Sequence, residues 1–165
     1  MSLPPEIWVL LSLSMATGLV AGVFLAFSDF VMPSLRAASP AAGTQALQLI
    51  TRKVDRTIFM CLLIGLSSVV AVVAVVASLF LEGPVVTYLM LAGTLYIVGV
   101  FIASAIGNIP MNEKLEAMPE GGIAAQNYWP DYVRGWVRWN HLRWISALGA
   151  STCYAIGAVL VAAAI

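Results

Sequence analysis

The segment WVRWNHLRW (136–144) sets one asparagine, two arginines and the single histidine of the chain among three tryptophans. Three other polar groups punctuate long apolar runs. Ser28 and Asp29 end one run, Asp55 and Arg56 precede the next, and Asn108 and Asn112 flank Pro110 where a third closes. An acid costs about 2.5–3.5 kcal/mol at the centre of a membrane helix and less near an interface. Asp29 is therefore expected to face inward and pair with Arg56 or Arg143; the alternative is a carboxylate at the water interface. The amides of Asn108 and Asn112 have two uses. They can satisfy backbone groups freed by Pro110, the favoured role on spacing alone, or they can hold a carbonyl or phenol of a ligand. One His without a second His or a Cys cluster argues against a metal site, and a haem would need Met or water opposite that His.

On a helical wheel of roughly 100° per residue, Tyr132, Trp136, Trp139, Asn140 and Arg143 share one face, which continues into Ser146, Ala150, Cys153 and Gly157. This is also the small-residue face, so it is expected to point into a bundle. Arg134, Arg138 and His141 fall on the other side, which counts against a simple Asn-His-Arg triad. Tryptophans and arginines also gather at membrane interfaces without any reactive role.

The elements that must position these residues are plain in the composition. Hydrophobic residues make up 61% of the 165 and charged ones only 10%, against about 25% charged in soluble domains. The low charge arises because Trp8–Ser28, Ile58–Leu81, Val85–Met111 and Trp144–Ile165 contain no Asp, Glu, Lys, Arg or His. Each run reaches the roughly 20 residues that cross a bilayer. The expected fold is an all-α membrane protein: one domain, 1–165, with spans near 7–31, 57–81, 85–107 and 141–164. The first span lacks a preceding Lys or Arg and is too long for a cleaved signal core, so it reads as retained.

All eight Lys and Arg fall in the two connections that follow the first and third spans, or at the start of the fourth. The positive-inside rule then puts both termini outside and makes cytoplasmic loops 1 and 3 the carriers of a polar cup. Pro33 is expected to stop the first helix, residues 47–54 to form an amphipathic helix, and the fourth helix to start near Asp131. Gly18 and Gly22, and the Gly149, Cys153, Gly157 stripe, mark close helix contacts. Cys61 and Cys153 are expected as unbridged packing thiols. Zero net charge gives no sign of nucleic acid.

Three blocks, FSDFVMPSL (27–35), GNIPMNEKL (107–115) and WPDYVRGWVRWNHLRW (129–144), resemble the signatures of the anthrone oxygenase-like integral membrane proteins, a family first defined as a domain of unknown function. The resemblance implies oxidation of an anthrone-, phenol- or quinone-like substrate by O2 with no metal or flavin, as fungal members perform on an anthrone. It makes His141 the candidate base, with Asn140 and Arg143 as catalytic partners. Asp29, Asn108, Asn112, Tyr132, Trp136 and Trp139 become candidate substrate contacts. The expected partners are the lipid bilayer, a small lipophilic or aromatic ligand, O2 if the chain is an oxygenase, and a second copy of the chain. The expected location is the bacterial cytoplasmic membrane. Two other readings stay open: a non-catalytic carrier of a lipophilic ligand, and a haem- or metal-binding membrane protein.

Overall fold

The computed structural model describes residues 4–164; Met1–Leu3 and Ile165, which the 1–165 reading takes in, lie outside the described residues. The chain is all-helical, with no strand among the described residues. The helices are α1 (Pro5–Ala37), α2 (Pro40–Val54), α3 (Ile58–Phe80), α4 (Pro84–Glu116) and α5 (Ile123–Ala163). All but α2 are long and apolar enough to cross a bilayer, so this is an integral membrane protein.

Local signals set the starts. Proline occupies the first turn of α1, α2 and α4, where a missing N–H costs nothing. The side chains of Ser39 and Thr57 accept from the Ala42 and Met60 amides and cap α2 and α3. Gly83, at φ 80°, makes the tight connection between α3 and α4 that a side chain would disfavour.

Packing follows from which faces carry small and apolar residues. α5 lies along both α1 and α4, while α3 covers α1 and the Pro84–Ile102 part of α4. The membrane core holds Val20, Phe24, Val70, Tyr96, Ala150 and Tyr154, all nearly or fully buried. Ser14 and Ser151 donate to each other's carbonyl oxygens at 2.9 and 2.8 Å and fasten α1 to α5. A second cluster, built on Met32, Leu47, Leu115, Trp129, Tyr132 and Trp136, fills the basic end. It includes the apolar face of α2, which packs on α4 and α5.

The helices run further than the apolar runs suggest, and three prolines do not act as expected. α1 passes through Pro33 to Ala37, α4 passes through Pro110 to Glu116, and α5 starts at Ile123 with Pro130 inside it. Proline removes the bond to the carbonyl four residues back and crowds that carbonyl. For Pro33 and Pro110 those carbonyls belong to Asp29 and Ile106. Both lie in π-helical turns, Phe27–Val31 and Ser104–Asn108, where bonding is already displaced to the fifth residue. The widened turn absorbs the proline. Cys153 is buried and unbridged, but Cys61 is exposed on α3 rather than packed.

One close approach tests this packing. A Cβ on Gly107 would fall inside the indole of Trp139, whereas one on Gly22 would meet nothing within 4 Å. Gly107→Ala is expected to destabilise the protein by about 1–3 kcal/mol through overpacking. Gly22→Ala should be neutral or stabilising by about 0.5–1 kcal/mol from helix propensity. Reversible unfolding in detergent micelles measures both; equal effects would contradict the described α4–α5 contact.

Candidate functional site

A cavity of about 650 Å³ opens at the basic end, between α1, α3 and α4, with α5 behind it and α2 above. Its inner wall is aromatic: Phe24, Phe27, Phe59, Tyr132 and Trp136 line it, and the Phe27 and Trp136 rings sit 5.8 Å apart. Ser104, Asn108 and Arg143 are the polar groups of the inner wall. Arg52, Asp55, Glu113 and Glu116 line the mouth.

Arg143 dominates the chemistry. It is 7% exposed, and among the described residues no carboxylate pairs with it. Its guanidinium carbon lies 3.7 Å from the centroid of the Phe24 ring. A desolvated cation–π contact of this kind contributes about 2 kcal/mol. Nη1 makes one long contact, 3.5 Å, to Asn140 Oδ1, and Nε has no partner. Burying a charge costs several kcal/mol unless it is paired, so the donors left over are available to an anionic or strongly polar group in the cavity.

The two asparagines of α4 work across helices, not as caps for Pro110. Asn108 Nδ2 donates to the Trp136 carbonyl at 3.1 Å, which fixes the amide orientation and leaves Oδ1 buried without a partner. Asn112 Oδ1 accepts from Tyr132 Oη at 2.6 Å and from Trp136 Nε1 at 2.9 Å, setting two of the cavity's rings. Both roles depend on the π turn Ser104–Asn108, which carries these amides toward α5.

Asn140 is fully buried. Its Nδ2 donates to the Phe24 carbonyl at 2.6 Å and to Ser28 Oγ at 2.8 Å, so its remaining oxygen faces Arg143. It thereby ties α5 to α1 where α1 enters its π turn, and it positions the guanidinium.

Three candidates lie apart from the cavity. His141 is exposed, as its side of the wheel requires, and its Nδ1 accepts from Trp144 Nε1 at 2.9 Å. Asp29 is exposed and makes no ion pair with Arg56 or Arg143, because the π turn points neighbouring Ser28 inward instead. Trp139 is half-buried against Gly107, outside the lining. Among the described residues no group of three or more His, Cys, Asp or Glu converges on a point. Sequence reasoning singled out Asp55 but missed Phe24, Ser104, Glu113 and Glu116. Glu113 and Glu116 were legible as a pair three residues apart on one helix face.

A family model described as anthrone oxygenase matches residues 49–153. The chain belongs to the anthrone oxygenase family. The match takes in Asn108, Asn112, Tyr132, Trp136, Asn140 and Arg143, while Asp29 and the FSDFVMPSL block precede it. No curated protein and no solved structure gives a match. At family level this is a membrane-associated, oxygenase-like protein.

The roof over the cavity is latched from later in the chain. Gln48 is 2% exposed; its Nε2 donates to the Leu115 and Met118 carbonyls, and its Oε1 accepts from the Gly121 amide. Arg52 pairs with Glu116 at 3.3 Å and with Glu120, to which Gln45 also donates. Donation from Arg52, then from Gln45, holds the Glu120 carboxyl below its ordinary value. A depressed folded-state value means that this contribution is complete above the unfolded carboxylate range, near 4.3, and is lost as pH falls through the folded value. Amide exchange in α2 should therefore quicken on acidification below that range, after correction for intrinsic rates. In Glu120→Gln it should be faster than in the wild-type protein at neutral pH and respond less to acid, the Gln48 bonds and the Arg52–Glu116 pair being left in place.

Asn112→Leu strands the Tyr132 hydroxyl and the Trp136 N–H, each worth about 1–3 kcal/mol when left unmet. Lower stability with a shifted Trp emission is the expected result. An unchanged emission spectrum would show that Asn112 does not set the Trp136 ring.

Proposed function

We propose that the cavity oxidises a flat phenol- or enol-bearing aromatic of the anthrone type with O2, without a cofactor, and that it opens toward the cytoplasm with both termini outside. The supporting observation is the buried Arg143 guanidinium, unpaired and set at the end of an aromatic cavity. An anthrone loses a C–H proton to give an anion whose charge rests largely on oxygen and whose carbon is electron-rich enough for O2. One oxygen atom stays as the new carbonyl, and the other leaves as water with both methylene hydrogens. Arg143 holds the anionic oxygen, a preorganised charge in a dry site. Asn108 Oδ1 accepts from a phenolic hydroxyl of the substrate. The adjacent Trp136 and Phe27 rings give the substrate an aromatic wall to lie against, and Asn140, Asn112 and Tyr132 position these groups.

His141 is outside this arrangement; the carboxylates that line the cavity are Asp55, Glu113 and Glu116. The exposure of Asp55 and Glu113, and the pairing of Glu116 with Arg52, favour a second reading in which the cavity only carries its ligand. Oxygen uptake by purified protein with 1,8-dihydroxyanthrone separates the two. Arg143→Met is expected to lower kcat/KM about 10²–10³-fold, the usual loss on removing an oxyanion donor, and His141→Ala to stay within about twofold. Turnover that survives Arg143→Met would overturn the assignment. Saturable binding with no O2 uptake by the wild-type protein would establish the carrier.

A further inference from the structure

The two open sides of the cavity differ in chemistry. Its water-facing mouth carries Asp55, Glu113 and Glu116, with the latched helix α2 above. Its other side reaches the membrane-facing surface. Ile64 on α3 and Phe101 and Ile109 on α4 line the cavity yet are 55%, 45% and 47% exposed.

The gap there follows from how the two helices are joined. The Leu81–Gly83 turn holds α3 and α4 together at the far end, and α3 packs against Pro84–Ile102. It parts from Ser104–Glu116, the portion of α4 that bears Asn108 and Asn112. The π turns Ile97–Ile102 and Ser104–Asn108 lie where the helices diverge.

We infer that the cavity is loaded sideways from the bilayer, through the gap between α3 and α4, and that its ligand is a membrane-dissolved aromatic that passes Ile64, Phe101 and Ile109 with its acidic oxygen directed at Arg143. A molecule that partitions into lipid meets no charge along this route. The same molecule entering from water as an anion must pass a mouth whose carboxylates, Asp55, Glu113 and Glu116, outnumber its one cation, Arg52, itself paired with Glu116, and the excess of like charge near a low-dielectric wall repels it. The buried cation at the inner end then acts on a ligand that has already left water, where its attraction is least screened. The inference rests on the proposed ligand cavity but not on any reaction within it.

Stopped-flow quenching of Trp fluorescence tests it, with the full chain in phosphatidylcholine vesicles and 1,8-dihydroxyanthraquinone as probe. Association should scale with the mole fraction of probe in the bilayer. Ile64→Phe with Ile109→Phe, both at half-exposed positions that tolerate bulk, should slow association and dissociation together by about tenfold, with Kd unchanged within twofold. A disulfonated probe that stays in water should not quench. Unaltered rates in the double variant, or equal quenching by the sulfonated probe, would overturn sideways loading. Arg143→Met reports separately on the site: undiminished affinity there sinks the cavity assignment, whatever the rates show.

Discussion

A buried arginine that no carboxylate among the described residues pairs with, set where α5 meets Phe24 of α1, is the constraint around which the basic end is organised. Its charge is met by two weak partners, the face of Phe24 and the oxygen of Asn140. Each needs a helix at a fixed distance. Phe24 requires α1 to lie close along α5, and the reciprocal Ser14–Ser151 bonds hold it there. Asn140 can turn its oxygen to Arg143 only because both hydrogens of its amide are taken by Phe24 and Ser28 on α1. A carboxylate in place of these partners would neutralise the arginine and take up its free donors.

The asparagines of α4 serve this arrangement at one remove. Asn112 sets the rings of Tyr132 and Trp136, and Asn108 reaches the Trp136 backbone, so the aromatic wall is fixed by amides and not by close packing alone. Such polar links between helices contribute on the order of 1 kcal/mol each in a membrane. Their larger effect is directional, because an indole held through its N–H cannot swing into the space beside it. The membrane core beneath, from Val20 to Tyr154, is continuous and apolar and supplies the rigid base.

Much of this was legible where the helix is regular. α5 contains no π turn, so a uniform wheel correctly buries Tyr132, Trp136, Asn140 and Arg143 and turns His141 outward. It also turns Trp139 toward the bundle, but that this ring packs on Gly107 of α4 and stays out of the cavity lining depends on the missing side chain of another helix, information that no single-helix pattern contains. α1 and α4 were harder. Their π turns add a residue to a turn and rotate everything beyond it, so Asp29 lands outside while Ser28 lands inside. A proline in the sequence signals a helix break because its clash is local, whereas the relief is supplied by the preceding turn. The divergence of α3 from α4 is a property of packing between segments, and composition is silent on it.

The latch on Gln48 has a consequence for biosynthesis. Its three backbone partners come from Leu115, Met118 and Gly121, well over sixty positions further along the chain. A ribosome that has just released α2 has made none of them, nor α5, on whose Trp129 and Tyr132 the apolar face of α2 comes to rest. Until the third and fourth spans are inserted, this amphipathic helix has only the lipid headgroup region in which to shelter that face. Closure of the roof therefore waits for Leu115 to Tyr132 to emerge, and a chain truncated before α5 would lack the surface on which α2 comes to rest.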